Sequence, residues 1–465
     1  MSSPMDATSE PRSSFECPLC RRGLGPGERL APQALDPDLQ DLVAANTPGW
    51  DERRGLCRDC ERRFRTALDY LKAHAIRIDG QGVPILPTPL RLGTSDRFRG
   101  RGVTIAFLDS GFYAHPDLCQ PRDRILKYVD MTDTRRRRDD LDQPDASSWH
   151  GMMTSVVACG NGRLSDGFYR GLASEADLVL VKVGHMSRIA HDDIRRGLDW
   201  VVRNRKRYGI RVVNVSCGGD YEASYLEDGL SQAAEKATRA GLLVCAAVGN
   251  QGNSPGHPVL PPASAPSVLT VGGLDDQNRL AFAGYGLYHS SYGPTRDGLQ
   301  KPEVIAPGIW VAAPILPGTP TAAQAQLLSH LAGAKESELK AMIVAHQGVD
   351  RDLDAAASLE PPLIRQLVAA KLTGNNVISG SYKHVDGTSF AAPIVASLAA
   401  QMIEANPDLT PQEIKRLLID TARRIREVSV DRQGWGVVDA ERAVQAALDR
   451  REDPGASGRA RPRAS

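Results

Sequence analysis

Four polar residues at the ends of apolar runs could carry chemistry in this chain. Asp109 closes the run in 103-VTIAFLDSGF-112 and His150 opens 150-HGMMTSVVAC-159. Asn250 follows 242-LLVCAAVGN-250, and Ser389 stands at the front of 387-GTSFAAPIVASLAA-400. Each has a plain structural explanation by itself. An acid at a strand end receives turn N–H groups, a histidine near a helix start caps it or rests at a core edge, Gly-Asn-Gln-Gly makes a turn, and a serine caps a helix. Capping does not account for the small residues around Ser389, where Gly387 and the alanines let other backbone approach; Pro393 is tolerated near a helix start, where N–H groups lack acceptors. Together the residues suit a nucleophilic relay. Ser389 would attack a carbonyl, His150 would take its proton, and Asp109 would orient the imidazole and stabilise its cation. The Asn250 amide and the Ser389 N–H would meet the developing oxyanion above a helix N-terminus. No second metal ligand stands at helical spacing from His150, and His115 and Asp117 are expected to serve their own loop.

A second group is separate in sequence. Cys17 and Cys20 form one Cys-x-x-Cys pair, and Cys57 and Cys60 form another. Two thiolates on one tight turn bind a single metal, and two such turns complete a tetrahedral zinc site. The gap between the pairs exceeds usual zinc-ribbon spacing, and a redox pair or unconnected thiols are the alternatives. The remaining cysteines (Cys119, Cys159, Cys217, Cys245) are scattered, mostly in apolar surroundings, which does not suit a secreted disulfide framework. Basic neighbours of the pairs (Arg21, Arg22, Arg62, Arg63) read as a solvated face, with protein recognition or domain ordering as the module's role.

Positioning these residues requires a scaffold. The apolar runs 103-VTIAFL-108, 178-LVLVKV-183, 211-RVVNVS-216, 242-LLVCAAV-248 and 268-VLTVGG-273 alternate with amphipathic stretches such as 192–209 and 228–241. Continuous apolar strands separated by helices predict an α/β fold with a doubly wound, mostly parallel sheet covered on both faces. Sites in such folds collect at the carboxyl ends of strands. Around this core the sequence predicts disorder over 1–15, a Cys-rich module over 16–80 with a helix over 61–76, and a Gly/Pro-rich linker over 81–97. The main domain is expected over 98–446, with a helical insert at about 316–376 and a disordered tail over 447–465. The charged run 135–145 reads as a solvated loop, with a processing site or acidic-partner patch as alternatives.

With these motifs in order, the chain resembles the subtilisin family (subtilases) of serine peptidases. The family's Asp motif appears as 109-DSGFYAHPDL-118, its His-Gly-Thr as 150-HGM-152, its Ser-x-Gly as 216-SCG-218, its Ala-x-Gly-Asn as 247-AVGN-250 and its Gly-Thr-Ser-Met-Ala-x-Pro as 387-GTSFAAP-393. The resemblance covers about 98–446. It implies a serine endopeptidase with Asp109, His150 and Ser389 as triad, Asn250 as oxyanion donor, and a polypeptide substrate. It further implies that Ser216, Cys217 and Gly218 pair with substrate backbone and, with Ala246, Ala247, Val248 and Gly249, line the pocket before the scissile bond. Met152 and Phe390 depart from the family pattern in packing positions. The family's calcium ligands cannot be placed, and no inhibitory propeptide is evident; the cysteine module stands there instead. A subtilase-fold scaffold without activity, or a peptidase gated by a partner through the module or insert, is the rival expectation.

The 465 residues are 41% hydrophobic and 24% charged with a formal net charge of +1. Near-neutral charge gives no general reason for nucleic-acid binding, the polar N-terminus lacks a signal-peptide core, and the longest apolar runs are strand-sized. A cytoplasmic, membrane-free setting is the expectation.

Overall fold

The computed structural model describes residues 15–25, 27–76, 84–185 and 188–452, so the disorder expected over 1–14 and 453–465 lies outside the described residues. The chain divides into two units: residues 1–84 with Arg279–Gly284, and residues 85–278 with 285–465.

In the first unit a small hairpin pairs Phe15–Glu16 with Gly23–Leu24, and a second ladder pairs Arg29–Leu30 with Leu56–Cys57. Helices Pro37–Asn46 and Arg58–Ala73 bury Leu39, Leu42, Phe64, Leu68 and Leu71. The second helix begins three residues before the expected start, because Cys57 caps it and its sulfur accepts the Cys60 N–H. Segment Arg279–Gly284 completes this unit: Leu280 N–H donates to Asn46 Oδ1 and Ala283 N–H to the Leu19 carbonyl.

The second unit is the sandwich the apolar runs predict. Its strands are β1 (Thr104–Asp109), β2 (Ile125–Asp130), β3 (Asp177–Lys182), β4 (Ile210–Val215), β5 (Leu243–Ala247), β6 (Leu269–Asp275), β7 (Gly286–Leu287) and β8 (Val304–Pro307). They form an eight-stranded sheet in the order β7-β6-β5-β4-β1-β3-β2, with β8 also on β6; every pairing is parallel except that of β7. The strands are apolar on both sides because two cores take alternate residues. Ile105 and Phe107 enter one core, and Ala106 and Leu108 the other. Helices α1 (Ser148–Cys159) and α8 (Thr388–Ala405) cover the first face; α2 (His191–Tyr208) and α3 (Gly229–Arg239) cover the second. Helix α8 has the length and hydropathy of a membrane span, contrary to the strand-sized limit read from the sequence; 89% of it is buried within the fold, as a core helix is.

The helical insert is α4 (Pro320–Gly333), α5 (Glu336–Ala345), α6 (Arg351–Ala356) and α7 (Pro361–Gly374). It closes a small core of its own around Leu328, Leu331, Leu339, Leu353 and Ile364. Strand Val311–Pro314 leads into it and strand Tyr382–Val385 leads out, and the two pair antiparallel. The insert therefore grows from a hairpin whose exit strand runs directly into Gly387 and Ser389.

Two expected boundaries are corrected. Residues 85–97 are not a linker: Leu86, Leu90 and Leu92 are buried. The guanidinium of Arg91 makes two 2.7 Å bonds to Asp276 and donates to the carbonyls of Ile309 and Trp310. The Gly/Pro composition suggested a loop, but apolar side chains between the prolines anchor it. Residues 447–452 likewise belong to the last helix, Ala440–Glu452, where Ala447 is buried and its carbonyl receives Asn406 Nδ2 at 3.0 Å. The charged run is surface, as read: Arg136 pairs with Asp140, and Arg138 with Asp142 and Asp123.

Candidate active site

Strand β1 passes between β3 and β4, so the chain changes direction at the carboxyl ends of β1 and β4, the crevice where α/β folds place sites. Asp109 is the last residue of β1 and is wholly buried. One of its oxygens receives the Ser110 N–H at 2.7 Å and lies 2.7 Å from His150 Nδ1; the other accepts from Thr154 Oγ1 at 3.1 Å. A carboxylate bonded in this way fixes the ring that faces it. Helix α1 can bring His150 this close because Gly151 has no side chain: a Cβ there would stand 2.1 Å from the Gly111 carbonyl and 2.9 Å from Asp109 Cβ. Burial disfavours a charged imidazole, but the charge of Asp109 and its hydrogen bond outweigh this and raise the His150 pKa above 6.5.

Ser389 lies one residue inside α8, where the cap position is Gly387. The helix-cap explanation therefore fails, and Ser389 as a residue is half-buried at the start of the helix. The backbone is positive-φ at Gly387 (141°), a conformation that favours glycine. Ser216 Oγ, steadied by Asn214 Nδ2 at 2.9 Å, donates to the Ser389 carbonyl at 2.8 Å. Among the described residues the Ser389 N–H has no acceptor. Phe390 is buried, and its ring centroid lies 5.7 Å from that of His150. No hydrogen bond joins Ser389 Oγ to His150 Nε2.

Asn250 follows β5 and is exposed. Thr388 donates to its Oδ1 twice, from the backbone N–H at 3.0 Å and from Oγ1 at 2.8 Å. Both contacts need an acceptor, so the amide is oriented: the oxygen faces Thr388 and the NH2 turns toward the front of α8. Thr388 Oγ1 also accepts from Gly249 N–H, and Ser291 brackets the loop through Gly249 O and Gln251 N–H.

The sequence-derived residues thus converge, with one correction. Ala246 and Val248 are buried in the core under α2 and α3, so their side chains do not line a pocket; strand alternation leaves Ala247 and Gly249 on the other side. Ser216 is buried and its hydroxyl is spent on the Ser389 carbonyl, while Cys217 is half-buried and Gly218 is exposed. Met152 is a core residue with no accessible surface. Asp117, expected to serve its own loop, reaches further: it accepts from Leu164 N–H and from the hydroxyl of Tyr382, on the hairpin strand before Ser389. Sequence reading missed Thr154, Asn214 and Thr388. Two of them carried a local signal: Thr154 lies four positions after His150 and hence on the same helix face, and Thr388 adjoins Ser389 in 387-GTS-389.

In the first unit all four cysteine sulfurs lie within 4.8 Å of one another. Cys17 and Cys20 occupy the hairpin turn, whereas Cys57 and Cys60 occupy a strand-to-helix junction rather than a second hairpin turn. The Cys17–Cys60 and Cys20–Cys57 sulfurs are 3.8 Å apart. That is too long for a disulfide and matches the edge of about 3.8 Å that tetrahedral Zn–S bonds of about 2.3 Å produce.

Residues 100–436 match the Subtilase family. Serine protease AprX of Bacillus subtilis (strain 168) is 30% identical over 353 residues, 74% of this chain and 66% of that protein. Subtilisin BL of Lederbergia lenta is 27% identical over 351 residues, 74% of this chain and 92% of that protein. Among solved structures, a protease of Pseudoalteromonas arctica PAMC 21717 aligns with a TM-score of 0.51 and 24% identity, over 78% of this chain and 94% of its own, a likeness of fold. Family motifs, fold and relatives agree: the chain belongs to the subtilase family of serine peptidases.

Proposed function

We propose that this chain hydrolyses polypeptides through an acyl-enzyme on Ser389, with His150 as general base and Asp109 holding its tautomer and cation. The observation that carries the reading is the buried Asp109–His150 bond of 2.7 Å at a strand end, with the ring of Phe390, the residue after Ser389, 5.7 Å from the imidazole. The Asn250 amide and the Ser389 N–H are the oxyanion donors, and the Thr388 contacts support this by turning the amide outward. Nucleophile–base contacts in unliganded sites are commonly loose and tighten with substrate, which accommodates the missing Ser389–His150 bond. After the leaving amine takes the proton from His150, water attacks the ester with His150 again as base. Substrate backbone is proposed to add as a strand beside Gly218, with Ala247 and Gly249 nearby; the exposure of Gly218 and partial exposure of the other two support this. The inactive-scaffold alternative is not favoured: the Asp109–His150 bond and the Asn250 amide held by Thr388 support an active site. A fluorophosphonate probe tests the reading: wild type labels and Ser389→Ala does not, and a folded wild type that resists labelling in all conditions overturns it.

The Cys17, Cys20, Cys57 and Cys60 cluster is proposed to hold one structural zinc, supported by the sulfur spacing. Four thiolates around zinc suit a reducing compartment, consistent with a cytoplasmic setting. Partner recognition through this module remains the proposed regulatory role.

A further inference from the structure

A cleft of about 560 Å³ opens beside the Asp109–His150 pair and has no part in the geometry above. Trp149 and Met153 wall it from the helix that carries His150, and Phe390 closes it from the residue after Ser389. Ile315, Leu316 and Thr321 complete it from the entry to the helical insert. The cleft adjoins the reacting groups through two of its walls: the Trp149 ring stands edge-on to the His150 ring with centroids 5.2 Å apart, and the Phe390 ring lies 5.7 Å from that of His150. None of residues 216–218 or 246–250, the edge that receives the acyl half of a substrate, lines it.

Which half of a substrate belongs there follows from the proton path. His150 takes the Ser389 proton and gives it to the nitrogen of the breaking C–N bond as the Ser389 Oγ–C bond completes. The departing amine must therefore pass the imidazole on the side away from the acyl edge, which is the side of Trp149 and Phe390. Met153, Ile315, Leu316 and Phe390 are buried apolar walls, and Lys383 and Asp386 bring opposite charges to the mouth, so no net charge preference follows.

We propose that this cleft holds the polypeptide following the scissile bond, and that the helical insert selects a large apolar or aromatic side chain within its first two residues. This rests on the peptidase reading above. The insert then acts as a specificity wall rather than only a docking domain.

The test uses full-length protein and quenched peptides of constant acyl half, with Phe, Leu, Gly or Asp in the two positions after the bond. A burst of p-nitrophenol from a p-nitrophenyl ester counts competent sites in each preparation. Per titrated site, wild type is expected to favour Phe or Leu over Gly and Asp by about tenfold or more in kcat/KM. Thr321→Trp, which fills the mouth, is expected to reduce that preference to about threefold or less. In parallel, acyl transfer to phenylalanine amide should exceed transfer to glycine amide in wild type and converge in the variant. A burst without any apolar preference, or an equal preference in wild type and Thr321→Trp, overturns the assignment of the cleft. Absence of a burst from folded wild type overturns the peptidase reading, and the cleft assignment with it.

Discussion

Thr388→Val is the sharpest test of how the oxyanion donors are held. The side chain is fully buried, and valine keeps its branched shape while removing the hydroxyl. Asn250 Oδ1 then loses the 2.8 Å bond from Oγ1 and keeps the 3.0 Å bond from the backbone, and the Gly249 N–H loses its acceptor. One neutral hydrogen bond is worth about 1 kcal/mol net, or about fivefold in rate. The loss should fall on kcat with KM nearly constant, because the amide is aimed at charge that exists only in the transition state. Asn250→Ala itself should cost about 10²- to 10³-fold in kcat. In that background Thr388 has no amide to orient, so adding Thr388→Val should cost less than about twofold. The assay is peptide hydrolysis with active sites counted by fluorophosphonate titration. A fivefold loss in both backgrounds, or a rise in KM at constant kcat, refutes the orienting role.

Further outcomes are expected for His150, for the cysteine cluster and for Arg91. The His150 pKa is raised above 6.5, and the base must be neutral to accept a proton, so the acid limb of kcat/KM should fall above that value. Asp109→Asn should move the limb down and cost about 10⁴-fold in kcat. The linked stability, measured in Ser389→Ala to prevent autolysis, should be fully present below the unfolded value and lost as pH rises through the raised folded value. Wild type should carry one zinc per chain, and Cys57→Ser or a strong chelator should remove it; hydrogen exchange should then accelerate over residues 15–76 and Arg279–Gly284. Arg91→Met should destabilise the second unit by about 3–5 kcal/mol in denaturant titrations, because it strands a buried carboxylate; adding Asp276→Leu should recover much of the loss.

The sheet was legible because its signal is local and repeated. The run 103-VTIAFL-108 is apolar throughout because Ile105 and Phe107 serve one core and Ala106 and Leu108 the other, and the same logic placed four further strands within one or two residues; Ile125–Asp130, Gly286–Leu287 and Val304–Pro307 were not among the predicted runs. The same alternation, carried one step further, would have kept Ala246 and Val248 out of the pocket. Residues 85–97 were misread because glycine and proline report backbone freedom and not burial; the partner that anchors Arg91 is 185 positions away.

By itself the sequence determined the fold class and the family, and it nominated Asp109, His150, Asn250 and Ser389 as the candidate site, since each sits in a short motif rich in glycine and small residues. Tertiary structure alone decided what holds them. Thr388 reaches Asn250 across 138 positions, Ser216 reaches the Ser389 carbonyl across 173, and Tyr382 reaches Asp117 across 265. It also decided that the insert rises from the hairpin beside Ser389 and walls a cleft there. A motif constrains neighbours along the chain, whereas a hydrogen-bond partner or a pocket wall depends on which surfaces meet when the sheet is covered, and that is set by packing of the whole core.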